Sequence, residues 1–348
     1  MSFDQPVIWL GLAGFTPEQR LQLHGLLAQL PKGGIAWKLC AFADADAWLV
    51  SGEKCRLVAA DTLKIMAGLP SERTVQLDLE QVDRPVAFSL PLASREFDPK
   101  LTFDLASLPS LLKVLQHFAS WLRPLRSQYV LGGQLIARES ELLPGIYHVS
   151  HNGSLLAVMD FHEWRIGISR KADPVDFEFA KWDRRPLEAH DIPAQFLRSS
   201  LTQLRWIYAQ RTERDVLPTR YRSRPIYFRR APEVPMRWLR DPQLLLLREL
   251  SVQASDFETL RQRTGLTPAQ LARELASLYF AGSITTTADK AGTGAFTAST
   301  ASASDESLPG RSQPGPAKPP QAAPSELAAP PRSFPKPDPT APAQLSRK

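Results

Sequence analysis

PVIWLG, residues 6–11, is an uncharged run closed by a glycine, and TPE, residues 16–18, follows it closely. A short apolar run with no polar alternation reads as a strand buried on both faces. Thr16 with proline at the next position is a helix start, because proline's missing N–H is one the first turn leaves unpaired anyway. Leu23, Leu26, Leu27 and Leu30 then recur at helical spacing, and Pro31-Lys32-Gly33-Gly34 ends the helix. Outward from there, residues 35–42 and 47–50 read as further strands, followed by 57–60, 75–79 and 84–88. Short strands interleaved with helical patterning predict an α/β unit over 1–105, with a mostly parallel sheet covered on both faces.

In its layout this unit resembles the receiver domain of response regulators. That family holds Mg²⁺ with an acidic pair after the first strand, where this chain has Gly11, Leu12 and Ala13. It accepts phosphate on an aspartate closing the third strand, where Ser51 and Gly52 stand. Its lysine before a late proline is matched only in part, by Arg84-Pro85. A hard cation needs clustered oxygen ligands. The resemblance therefore implies a pseudo-receiver without phosphoryl chemistry.

Residues 106–235 are expected to form an α+β middle domain. Residues 110–123 place Leu111, Leu112, Leu115, Phe118, Ala119 and Leu122 on one helical face, ended by Pro124. Residues 129–137 read as a strand, with Gly132-Gly133, like Gly33-Gly34, as a turn; residues 193–210 read as an aromatic-rich core helix. Between them, Asn152-Gly153 is a favoured two-residue turn within a hairpin over 145–161. That hairpin carries His148, His151 and His162, with Asp160 and Glu163 nearby. Strand alternation sends His148 and His151 to opposite faces and leaves His162 far along the ribbon, so no metal site is expected.

Arginines crowd the stretch 205–240: Arg205, Arg211, Arg214, Arg220, Arg222, Arg224, Arg229, Arg230, Arg237 and Arg240, with Tyr221, Tyr227, Phe228 and Trp238 among them. If 220–230 is extended, Arg220, Arg222 and Arg224 share a face, and guanidinium groups grip phosphate oxygens in pairs. Arg220, Arg222, Arg224, Arg229 and Arg230 are thus candidates for a phosphate-bearing ligand or a nucleic-acid backbone. Arg220-x-x-x-Arg224 resembles one element of PilZ domains, which implies a cyclic dinucleotide, although the family's second element, D/N-x-S-x-x-G, does not follow. The alternative is that these arginines pair with carboxylates elsewhere in the body.

Residues 236–285 resemble the helix-turn-helix core of winged-helix domains. Asp241-Pro242 opens a first helix, Ser255-Asp256-Phe257-Glu258 caps a second, and Thr267-Pro268 starts a third. Gly282 closes it before a β-like Ser283-Ile284-Thr285. This all-α module implies either protein contact, a homodimer included, or DNA binding through Gln270 and Arg273. From 286 to 348 the chain turns to alanine, serine, threonine and proline, including a PxxP match at Pro316–Pro319. Such a tail buries too little apolar surface to order itself.

The net charge of +6 concentrates in the arginine stretch, and two cysteines, Cys40 and Cys55, are too few for a disulfide framework. The opening MSFDQPVIWLGLAG lacks a signal peptide's basic start, no run reaches membrane-spanning length, and the expected address is the cytoplasm. No nucleophile elbow, phosphate loop, H-E-x-x-H or dinucleotide glycine pattern occurs; Asp44 and Asp46 read as a turn. The expectation is a non-enzymatic signal-transduction adaptor without cofactor, working by protein contacts. A DNA-binding regulator and a nucleotide receptor are the alternatives.

Overall fold

The computed structural model describes residues 4–31, 33–59, 61–94 and 96–292. From residue 293 onward the expected tail lies outside the described residues. Its first part does not: 286–292 turns back on the body, with Gly292 N–H donating to the Phe228 carbonyl at 2.9 Å.

The first layer is a parallel sheet. Strand β1 (Val7–Ala13) is followed by helix α1 (Pro17–Ala28), β2 (Ala36–Cys40) and β3 (Ala47–Ser51). A three-stranded antiparallel meander comes next, of β4 (Cys55–Ala59), β5 (Thr62–Ile65) and β6 (Val75–Asp78). The parallel sheet is completed by β7 (Val86–Leu90) and β8 (Thr102–Asp104), in the order β2-β1-β3-β7-β8. Successive residues of each strand point to opposite faces. Leu12, Leu49 and Ala87 enter one core with Leu23, and Ala13, Val50 and Phe88 enter a second core with Cys55, Ile65 and Leu77 of the meander. Between β2 and β3 there is no helix; residues 41–46 cross directly over β1 through a 3-10 turn, Phe42–Asp44. Gly11 permits this crossing, because a Cβ there would stand 2.8 Å from the Ala45 Cβ and 2.9 Å from the Phe42 Cα.

Helix α2 (Leu108–Trp121), expected to open the middle domain, packs on the first sheet. Leu111, Val114, Leu115 and Phe118 share a core with Ile8, Leu10 and Leu49. Helix α3 (Arg123–Ala137) follows at once, where the sequence suggested a strand over 129–137. The Gly132-Gly133 pair is neither turn nor strand: it is where α3 is crossed closely by a later helix, α5 (Leu201–Arg211). A Cβ on Gly132 would lie 2.8 Å from the Leu204 carbonyl oxygen, and one on Gly133 would lie 2.8 Å from the Tyr208 ring.

The second sheet is antiparallel, in the order β12-β9-β10-β11-β13. Its strands are β9 (Ile146–His151), β10 (Ser154–Asp160), β11 (Arg165–Ser169), β12 (Lys181–Arg185) and β13 (Phe196–Ser200), with helix α4 (Pro174–Glu178) before β12. The expected hairpin forms, with Asn152 and Gly153 at φ +48° and +75° and His151 paired with Ser154. Helices α3 and α5 cover one face. The link from β12 to β13 runs over the other, pressing Ile192 on Gly167 and placing the Ala189 carbonyl 2.9 Å from His148 Nε2. Residues 196–200, expected in the helix over 193–210, instead pair with β11, and the helix begins at Leu201.

The arginine stretch is not extended at its start. Residues Arg220–Ser223 form a helical turn, α6, before β14 (Tyr227–Phe228). Helices α7 (Asp241–Val252), α8 (Phe257–Thr264) and α9 (Pro268–Phe280) then lead to β15 (Ile284–Thr285), which pairs with β14. The second helix is capped by Asp256, whose carboxylate accepts from Thr259 N–H at 2.8 Å, one residue later than expected. Ser255 forms a bridge with Ile226 instead. The described residues thus hold nine helices around a parallel and an antiparallel sheet, and none of these helices is long and apolar enough to cross a membrane.

Helix α5 joins the parts. Leu204, Ile207 and Tyr208 enter the core of the second sheet, while Trp206 and Ala209 enter the core of α7–α9 with Leu246, Leu271 and Leu275. Such all-round burial is what an internal helix requires.

Two helical glycines test the packing. Gly25 in α1 has nothing within 4 Å of its would-be Cβ. Gly25→Ala should therefore stabilise the protein by about 0.5–1 kcal/mol through helix propensity. Gly132→Ala should destabilise it by about 1–3 kcal/mol despite the same propensity gain, because α5 must move. Urea midpoints measure both.

Candidate ligand site among the arginines

Three guanidinium groups of the 205–240 stretch, those of Arg205, Arg211 and Arg240, are fastened into the body. Arg211, at the end of α5, pairs through Nη2 with Asp46 Oδ1 at 2.5 Å, and both side chains are about nine-tenths buried. Asp46 also accepts from Trp9 N–H at 3.0 Å, while its own N–H donates to the Trp9 carbonyl at 2.8 Å. The crossing segment 41–46 is held from two further directions. Arg84 donates to the Ala45 carbonyl at 2.6 Å and stacks 4.6 Å over the Trp48 ring, and Arg240 donates to the Asp44 carbonyl at 3.0 Å. Guanidinium groups suit this work because they present several N–H donors in a fixed plane and remain charged.

Arg220, Arg222 and Arg224 do not share a face. Arg220 lies over the rings of Tyr221 and Tyr279, 5.5 Å from each centroid. Arg222 pairs with Asp215 and covers Phe257 at 4.8 Å. Arg224 ends the turn, exposed. Arg230 pairs with Glu233 at 2.6 Å. Arg229 makes no ion pair among the described residues and faces a concavity of about 750 Å³ together with Arg165, Arg205 and Trp164. The structure therefore brings Arg229 and Arg230 together and sets Arg220, Arg222 and Arg224 apart from them.

Gln270 and Arg273 sit on α9, whose residues 271–278 are buried except for half-buried Arg273. Gln270 closes the Thr267 capping box, and Arg273 lies 5.3 Å from the Trp9 ring with Nε 3.4 Å from Glu274 Oε1. Glu274 is buried, and accepts from Gln210 at 2.9 Å and Gln243 at 2.5 Å, which ties α9 to α5 and α7. Only the first turn of α9 faces outward.

The histidines of the hairpin have separate partners: Ala189 for His148, and Asn152 with the Phe179 ring for His151. His162 follows a turn closed by Asp160, whose carboxylate accepts from the His162 and Glu163 N–H groups. Among the described residues no three His, Cys, Asp or Glu side chains are gathered as a metal would need. At the receiver-like positions, Gly52 is backed so closely that a Cβ would stand 2.1 Å from the Ser89 carbonyl oxygen.

One concavity was not indicated by the sequence. It has a volume of about 500 Å³ and opens where the 43–46 crossing, the α2–α3 junction, α5 and the segment before α7 meet. Trp121, Trp206 and Trp238 line it, with Gln128 and the guanidinium groups of Arg84, Arg211, Arg237 and Arg240. Its carboxylates are matched: Asp46 with Arg211, Asp83 with Arg84 at 2.8 Å, and Asp44 with Arg240 at 4.0 Å. The Arg84 hydrogen bond lowers the pKa of Asp83 below the usual carboxylate value, and Arg237 adds a smaller effect. Trp121 is half exposed at the end of an amphipathic helix; that misplaced aromatic is the only local hint of the cleft.

Comparison with family models, with curated proteins and with solved structures finds no match to this chain.

Two expectations follow. Arg211→Met leaves the Asp46 carboxylate buried without its counter-charge and should cost about 3–5 kcal/mol. Arg222→Met breaks a pair whose side chains are 37% and 52% exposed and should cost no more than about 1 kcal/mol. Urea denaturation of the two variants checks the contrast. Burial pushes both the Cys40 and Cys55 thiols up to about 12 from an ordinary 9.0. Both then stay protonated at neutral pH and should resist alkylation in the native state. Because unfolding frees them to ionise, this contribution to stability is intact below pH 9 and is lost as pH rises from 9 towards 12. Thiol labelling at pH 7.5 and urea midpoints across the alkaline range measure both effects.

Proposed function

We propose that the protein is a non-enzymatic signal-transduction adaptor that works through protein contacts, with the free edge of the second sheet as its docking strand. The observation that carries this reading is strand β12. It lies at the sheet's edge, paired among the described residues only with β9, and presents Lys181, Arg184 and Arg185 against the single Asp183, all exposed. Exposed apolar side chains surround it: Val175 and Phe179 before the strand, Leu187 after it and Leu143 beside the Arg184 contact with Pro144.

An uncovered edge accepts an extended segment by main-chain hydrogen bonding, and neighbouring side chains select its sequence. The basic side chains favour an acidic segment carrying large apolar residues. They also oppose edge-to-edge pairing with a second copy, since like charges would meet. The sheet order β2-β1-β3-β7-β8, all parallel, supports the receiver likeness of the first layer, and the filled space at Gly52 accords with a scaffold role for it. In the winged-helix-like module, the engagement of α9 with α5 and Trp9 favours an internal role for that helix over a DNA-reading one.

Lys181→Glu/Arg185→Glu tests the proposal, because both side chains are exposed and the fold should tolerate it. Affinity purification of the full chain from its native cell should retain an acidic protein. The charge-reversed variant should bind it at least about tenfold more weakly with an unchanged melting temperature. Equal retention by the variant, or no retained protein with either, would contradict it.

A further inference from the structure

The cleft between the three parts of the body has the make-up of a small-molecule site, and it shares no residue with the β12 edge. Its volume of about 500 Å³ falls in the range such sites occupy, and junctions between packed units are where they commonly lie. One observation points to a missing ligand. Gln128 is only 8% exposed, yet its side-chain amide makes no hydrogen bond with the described residues. Buried polar groups are nearly always bonded, so unmet ones lining a cavity mark where a bound group completes them. The indole N–H groups of Trp121, Trp206 and Trp238 also have no acceptor among the described residues.

The chemistry of the lining specifies what fits. Three indoles offer faces for stacking a flat ring. The unmet groups are predominantly donors, so they suit a ring with carbonyl or ring-nitrogen acceptors. The charge is uneven: each of the three carboxylates is already matched by a guanidinium group, and Arg237 remains in excess, exposed and in no ion pair among the described residues. A guanidinium group so placed binds phosphate oxygens in pairs. The geometry points to a mononucleotide, with its base between the indoles within reach of Gln128 and its phosphate on Arg237. The second basic concavity, around Trp164 and Arg229, offers one indole in place of three, and the carboxylates of its Arg165 and Arg230 ion pairs are more than half exposed, so solvent screens them.

The test uses the full chain and nucleoside monophosphates of each base, linear and 3′,5′-cyclic. The parent nucleosides and inorganic phosphate are run beside them. Tryptophan emission and melting temperature are the readouts, since three of the eight tryptophans line the cleft. One monophosphate should change the emission saturably and raise the melting temperature. Trp121→Ala should abolish both effects. Arg237→Glu should weaken that monophosphate by at least about tenfold while leaving its nucleoside unaffected. Both positions are exposed, and far-UV circular dichroism verifies that the variants fold. No saturable response to any monophosphate up to about 1 mM would overturn the proposal. An equal response to phosphate alone or to the nucleoside alone would do so too, as would binding that survives both substitutions.

Discussion

The body is organised around one buried charge pair, Arg211 with Asp46. Asp46 belongs to the segment that carries the chain from β2 across β1 into β3, and Arg211 ends the helix shared by the other two cores. Neither side chain has water enough to stand alone, so removing one leaves the other as an isolated charge in a poorly polarisable setting. The pair therefore constrains where α5 ends relative to the first sheet. Through the two faces of α5 it also constrains the antiparallel sheet and the α7–α9 bundle. Arg84 and Arg240 add donors to the Ala45 and Asp44 carbonyls of the same crossing.

This arrangement explains why a basic stretch need not be a basic surface. A count of arginines over 205–240 suggests a phosphate-gripping ribbon, but Arg205, Arg211, Arg222, Arg230 and Arg240 face carboxylates of the same body. What distinguishes a ligand site is the excess left after pairing, not the number of charges. By that measure Arg237 matters beside three indoles and an unpartnered glutamine, whereas Arg220 covers tyrosine rings. The β12 edge and the cleft share no residue.

Features set by local chemistry were readable from the chain. Asn152-Gly153 fixes its own backbone, and the proline starts at Pro17, Pro268 and Pro242 follow from the unpaired N–H groups of a first turn. The features that were misread depend on distant neighbours. Residues 129–137 have the β-branched and glycine content of a strand and turn, yet they are helical because α5 packs into the gap that Gly132 and Gly133 leave. Residues 193–210 looked like one helix, but the edge of β11 takes 196–200 as a strand. The Arg211–Asp46 pair spans 165 residues, and nothing local marks either partner. The cleft was invisible for the same reason: its lining comes from five separate stretches.

Native-state hydrogen exchange in rising urea tests most directly whether these guanidinium contacts make one cooperative body. The amide of Trp9, the amides of β10 and those of α9 should converge on a single opening free energy equal to that of global unfolding. Exchange of α9 through a separate, lower-energy opening, with β1 and β10 still protected, would contradict the account.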